Sequence, residues 1–468
     1  MPGLQGMMNS ETAPSRDGKT AFSIPNIRRY IAFKVLFNSR FYYPVFTILF
    51  LDFGLTVAQF SLLNAVWAAT IVMAEVPSGA LADTIGRKRL LVFATITMVV
   101  EVGLIAFLPL GNPTLIFGVF MVNRVLSGLA EAAASGADEA LAYDALKREG
   151  NPEDWGRVLE VLTRFQSFGF IIAMTAGAAI YDPSLMNTLA NALGFSVSLT
   201  QEATMRFPLY GTLVLALGAC MATAGMEEIR PENNRKEFSG RNRLAELRQA
   251  FLLTFKAGGW IITTPFVLSV ILFGMLFDGT IRMVITLSSQ YYRMILLPES
   301  LFGIIGAGVA MLGFIIPKLA RQLAESRPPA AGLWVTAGLC FTGLVSMGFF
   351  WPWVGMIPAL VTFAAMYFNG FFVSYYINRE TPSDQRATVL SFKGLSYNMA
   401  YGLLGIGYAL VLKIQKQSLD SGLSGQALDN QVFRDTFFVF PALFTAGFIL
   451  LLIVYQLILK PKTQPPSH

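Results

Sequence analysis

Twelve apolar segments of spanning length, separated by short polar connectors, constrain this chain more than any other feature. They fall at about 34–54, 58–82, 89–110, 114–143, 157–181 and 205–225, then at 261–292, 299–322, 330–350, 353–377, 387–413 and 433–459. Each approaches or exceeds the ~20 residues needed to cross a hydrocarbon core of about 30 Å. In lipid the backbone must satisfy its own hydrogen bonds, so each segment is expected to be a helix. Composition agrees: of 468 residues, 54% are hydrophobic and 14% charged, against roughly 25% charged in a soluble domain. That supply of charge cannot cover a water-soluble globule. The expected fold class is an all-α membrane protein, with 12 transmembrane helices in two six-helix bundles around a central cavity.

The expected organisation is an N-terminal segment 1–33, a first bundle 34–225, a linker 226–260, a second bundle 261–459 and a tail 460–468. Counted connector by connector, 25 Lys and Arg fall on the side of the termini, 5 on the other and 5 within spans. The positive-inside rule then places both termini in the cytoplasm. Residues 1–25 lack the apolar stretch of a cleavable signal, so the first span is expected to direct insertion. Leu244, Leu247, Phe251 and Phe255 recur at helical spacing among basic residues, predicting an amphipathic helix within the linker. A faint repeat at an offset of 234 aligns Gly79 and Arg87 with Gly313 and Arg321, and Asp144 with Asn378. This fits two parallel repeats.

Several chemistries are absent. The sole histidine is His468 and the two cysteines, Cys220 and Cys340, lie in apolar runs. They are expected to be buried thiols, and no metal or other cofactor is expected. No G-x-x-x-x-G-K-[ST] loop occurs, so nucleotide hydrolysis has no seat in this chain. A membrane-embedded enzyme would need converging catalytic residues, and neither metal-spaced ligands nor a nucleophile elbow is present. The basic balance is spread between spans, which marks topology rather than nucleic-acid binding.

Between segments two and three runs Gly79-Ala-Leu-Ala-Asp83-Thr-Ile-Gly86-Arg87-Lys88. Glycines permit close helix approach and a sharp turn, Asp83 can accept from a helix N-terminus, and Arg87 can pair with an acid such as Asp144. This stretch resembles the G-x-L-x-D-x-x-G-R-K signature of the major facilitator superfamily, in the loop where that family carries it. Arg124-Val-Leu-Ser-Gly128 is similar to its R-x-x-x-G motif, associated there with proton coupling, although Glu131 stands where a small residue is usual. Gly169, Ala173 and Gly177 resemble a degraded antiporter motif whose proline is replaced by Met174. The resemblance implies rocker-switch alternating access around a cavity lined by the first, fourth, seventh and tenth helices. It also implies a gate formed by Gly79, Asp83, Gly86, Arg87, Lys88 and Asp144.

Charges inside spans cost roughly 2.5–3.5 kcal/mol each on insertion scales, so each calls for a reason. Glu101 and Arg124 lie equally far from the hairpin at Gly111–Thr114 and are expected to pair at one depth. Arg40 and Glu75 are near-level on segments one and two. Asp278 and Arg282 can pair within one helix. Arg124, Glu131 and Asp138, spaced by seven, predict a polar stripe facing water. Glu131 is the expected proton carrier, with Arg124, Glu101 and Asp138 as its setting. Arg40, Asp278, Arg282, Tyr367, Asn369, Tyr375 and Tyr376 are the candidate substrate contacts, beside Phe371 and Phe372.

The function expected from all of this is secondary transport of a small organic solute, by preference proton-coupled efflux. Uptake of a sugar, organic anion or siderophore is the alternative, and a membrane sensor is the non-transporting one. A proton, a small-molecule substrate and lipid are the expected partners of a monomer in a bacterial inner membrane. The stretch 415–432 is expected to be a loop with room for a partner.

Overall fold

The computed structural model describes residues 20–229, 259–381, 386–419 and 422–459, excepting the side chains of 76, 79–80, 83–84, 386–388 and 458–459. The expected linker helix and the side chain of Asp83, with that of Thr388 at the helix N-terminus it is expected to cap, therefore lie outside the described residues. Among these residues every regular element is helical, and eleven helices are long and apolar enough to cross a membrane. This is an integral, multi-pass membrane protein.

The first apolar segment is not one helix. It consists of α1 (Pro25–Asn38) and α2 (Phe46–Asp52), joined through Ser39–Tyr42 and a tight turn at Tyr43–Val45. Neither piece is long enough to span alone, which is why the expected twelve appear as eleven. Pro44 lacks the N–H a continuous helix would use, and Phe41, Tyr42 and Tyr43 follow Arg40 at the break. Gly177 admits this break. A Cβ on Gly177 would lie 1.8 Å from the Phe41 carbonyl oxygen. Gly177→Ala is therefore expected to cost about 3 kcal/mol by overpacking. Gly118→Ala, with nothing within 4 Å of the added carbon, is expected to be near-neutral. Thermal unfolding of both variants in one detergent checks the contrast.

The remaining elements of the first half are α3 (Val57–Ile85), α4 (Arg87–Ala106), α5 (Pro113–Ala134), α6 (Ala137–Glu149), α7 (Trp155–Tyr181), α8 (Pro183–Ala192), α9 (Gln201–Thr204) and α10 (Phe207–Gly225). Their starts carry the expected chemistry. Thr56 and Gln59 form a capping box on α3, Asn112 caps α5 ahead of Pro113, and Asp182 caps α8. The fourth segment also departs from expectation. It breaks at Ser135–Gly136, where Gly136 is left-handed at φ 76°, and resumes as α6. A seven-residue stripe drawn on one straight helix does not survive that turn.

The second half comprises α11 (Pro265–Thr286), α12 (Ser288–Met294), α13 (Phe302–Ser326), α14 (Pro329–Met347), α15 (Met356–Glu380), α16 (Arg386–Ser418), α17 (Gly425–Thr436) and α18 (Val439–Val454). The expected loop at 415–432 is mostly helix, because α16 runs to Ser418 and α17 begins at Gly425. The halves meet along α3 with α16 and along α7 with α13. Met174, in place of the antiporter proline, turns its carbonyl toward Gly303 and its thioether toward Gly306 at that second seam. Cys340 is buried and Cys220 half-buried, both free.

Candidate functional site

Two ends of the molecule can be told apart. The proximal end gathers the start of α1, the α3–α4 turn and the end of α6. The distal end holds Asp52, Asp182 and Arg293. At the proximal end Arg87 forms an ion pair with Asp144. The N-terminus of α4 is capped by a residue the sequence reading did not single out. Glu228 accepts from the backbone N–H of Arg87 at 3.1 Å and of Lys88 at 3.0 Å. A carboxylate there meets free donors and the positive end of the helix dipole. The Glu227–Glu228 pair after the sixth span was the available signal.

A cavity of about 360 Å³ lies between α1, α3, the α5–α6 break and α16. Glu75 and Glu131 face it from α3 and α5, Trp67 adds an aromatic wall, and Asn398 is the contribution of the second half. Glu131 stands in the last turn of α5, and the break beyond it exposes Ser135, Gly136 and Glu139 at the cavity rim. Asp138 also lines the cavity but is bound to Lys34 at 2.6 Å. Neither Glu75 nor Glu131 pairs with a base among the described residues. One oxygen of Glu75 is buried without a hydrogen-bond partner. Two carboxylates on one cavity wall, neither in an ion pair, can take up a cation or a proton.

Behind this wall lies a buried network that corrects two expected pairs. Glu101 pairs with Arg40 at 2.9 Å, not with Arg124, and both side chains are at most 4% exposed. Asn123 stands between the expected partners. It donates to Glu101 and accepts from Arg124 at 3.0 and 2.8 Å. Arg124 lies over the rings of Phe46 and Phe50, 5.3 Å from each centroid. Arg40 also donates to the Tyr42 hydroxyl at 2.7 Å, leaving Glu75 to the cavity. The break between α1 and α2 is the physical reason, since it frees Arg40 to turn toward α4 at a depth where helix-by-helix levelling had placed only Arg124. Asn123, a polar residue in an apolar span, was the legible clue.

In the second half Arg282 pairs with Asp278 and donates to Asn398 at 2.8 Å, which ties it to the cavity wall. Tyr367 lines a neighbouring cavity of about 430 Å³ between α7 and α13. Asn369 and Tyr376 do not reach either space. They line a separate pocket of about 130 Å³ inside the second bundle, where Asn369 donates to the Gly274 carbonyl at 3.2 Å. Tyr375 stacks on Phe371. The cavity nearest Glu131 is thus lined by segments one, two, four and eleven, rather than by one, four, seven and ten.

The described hydrogen bonds that cross between halves gather toward the distal end. Arg293 grips Asp52 through two bonds of 2.7 and 2.9 Å, and also bonds Glu299 at 2.5 Å. Across the halves Ser300 N–H also donates to Asp182 at 3.2 Å and the Thr47 N–H to Ser289 at 3.0 Å, while within the first half Tyr181 donates to Asp52 at 2.5 Å. This clamp was not foreseen, because nothing local joins residues 241 apart in sequence.

Comparison with known proteins agrees with this geometry. No curated protein matches the chain. A bacterial homologue of the human lysosomal transporter Spinster, in an inward-facing and unoccupied conformation, matches with a TM-score of 0.66 at 14% identity, over 96% of this chain and 100% of that one. The nucleoside transporter NupG gives 0.63 at 14%, over 92% and 99%. A D-xylose-proton symporter gives 0.62 at 13%, over 95% and 99%. At these identities the likeness speaks for the fold. The family's own sequence model matches residues 31–409. The chain is a transporter rather than an enzyme, and it belongs to the Major Facilitator Superfamily.

Proposed function

We propose that this protein is a proton-coupled secondary transporter that exports a small, partly apolar organic solute by alternating access, with both termini in the cytoplasm. The observation that carries the proposal is the pair of carboxylates, Glu75 and Glu131, on one cavity wall, neither in an ion pair while the cavity's Lys34 is bound to Asp138. Aromatic Trp67 and Phe37 share that wall and suit a partly apolar guest. The excess of Lys and Arg on the terminal side supports the orientation. Asp83, Gly79 and Gly86 form the proposed proximal gate with the Arg87–Asp144 pair. Uptake by symport is a second reading, favoured by the D-xylose-proton symporter among the similar folds.

Proteoliposomes test the proposal with a panel of organic cations, neutral drugs, nucleosides and sugars under an imposed pH gradient. Accumulation of one class against its gradient supports coupled transport, and no movement of any class overturns it. Alternating access has its own test at the distal clamp. Arg293→Gln is expected to shift the balance of states by about 2 kcal/mol, roughly thirtyfold in population ratio, toward distal opening. The readout is distal-side labelling of Asn398→Cys, with Cys220 and Cys340 replaced. Unchanged labelling would remove the clamp from the gating cycle.

A further inference from the structure

Toward the distal end, the seam between α3 and α16 opens into a cavity of about 610 Å³. Nearer the centre these helices cross closely. A Cβ on Gly405 would lie 3.2 Å from the Ser61 carbonyl, and one on Gly402 would lie 3.4 Å from Ala68. Beyond that crossing a space remains between the two helices. Leu62 forms one wall of the resulting slot, and Ile406 and Leu410 form the other; all three are exposed. At 33 residues, α16 is about 50 Å long, longer than a hydrocarbon core of about 30 Å, and its apolar run gives way to Lys413 and Lys416 in the last turns, which points those turns to headgroup depth.

Two lysines, Lys413 and Lys416, rim this slot one turn apart. Lys416 bonds Asp429 at 2.5 Å. Lys413 is exposed and pairs with no carboxylate among the described residues. Of the other basic groups at this end, Arg206 donates to the carbonyls of Ala106 and Leu108, Arg293 to Asp52 and Glu299, and Arg434 lies over the Phe350 ring at 5.6 Å. An apolar slot open to the bilayer takes an acyl chain, and a free ammonium at headgroup depth draws an anionic phosphate.

We propose that this slot is a binding site for an anionic phospholipid, with one acyl chain between α3 and α16 and its phosphate at Lys413, flanked by Lys416. The two helices belong to different halves, so the bound lipid bridges the seam. The site depends on neither the solute nor the direction of transport.

Native mass spectrometry of the full chain tests it, after incubation with an equimolar mixture of phosphatidylglycerol and phosphatidylcholine of matched acyl chains. The wild type is expected to retain phosphatidylglycerol preferentially. Lys413→Gln breaks no ion pair described here and should lower that retention roughly fivefold, with a further fivefold on adding Lys416→Gln. Lys413→Arg should keep it. Leu410→Trp, which fills the slot, should lower retention of both lipids. Equal retention of the two lipids by the wild type would overturn the proposal, as would an unchanged preference in the double lysine variant.

Discussion

Glu131→Gln is expected to keep solute binding and downhill exchange while losing accumulation driven by a pH gradient, which should fall to passive equilibration. The substitution keeps the side-chain volume and removes only the titration. Four acids are candidates for the proton, and their surroundings separate them. Glu101 is fully buried, held by Arg40 and Asn123, so a proton has no open route to it. Asp138 is already bound to Lys34. Glu131 and Glu75 both meet the cavity without an ion pair among the described residues, its Lys34 being bound to Asp138, and Glu131 sits where the α5–α6 break opens that cavity to the rim. A carboxylate whose water comes and goes with alternating access is the group whose protonation the cycle can drive. A pH-sensitive dye inside proteoliposomes measures the effect, using the solute that the uptake panel identifies. Solute-dependent proton movement at wild-type stoichiometry in Glu131→Gln would move the role to Glu75.

Glu101→Gln is expected to cost about 3–5 kcal/mol of stability, because it leaves the Arg40 guanidinium buried and without its counter-charge. Lipid and protein surround this pair, so no water can take the place of the lost partner. Arg40→Gln in the same background should recover part of the loss. Arg124→Gln should recover much less, since Arg124 touches Glu101 only through Asn123. Unfolding midpoints of the single and double variants, assembled as two thermodynamic cycles, measure the two couplings. Equal couplings, or additive losses with Arg40→Gln, would show that the buried pair is not the unit described.

Much of the site was legible residue by residue, and the failures share a cause. Asp278 and Arg282 lie four apart on one helix, and a helix brings such residues together whatever surrounds it. The ion pair of Arg87 with Asp144 was expected from a loop and a helix end that the signature places on one side of the membrane. Glu101 with Arg124 was a weaker inference, resting on equal depth alone. Depth says how far along a helix a side chain lies, while rotation about the axis decides which neighbour it meets. In spans that are apolar nearly all round, the usual periodicity that reports rotation is faint.

Hydropathy and spacing along the chain are enough for the membrane-embedded helical class, the run of apolar segments, the signature turn and the in-helix ion pair. These depend on hydropathy, helix rise and residue spacing, which are local. The break of the first segment at Arg40, the turn of the fourth at Gly136, and the meeting of Asn398 with Glu131 at one cavity emerge only when the helices pack. So does the bond of Asp52 to Arg293 across the halves. Those outcomes rest on close backbone approach, such as Phe41 against Gly177, and on which desolvated charge finds which partner. Packing between distant segments settles both.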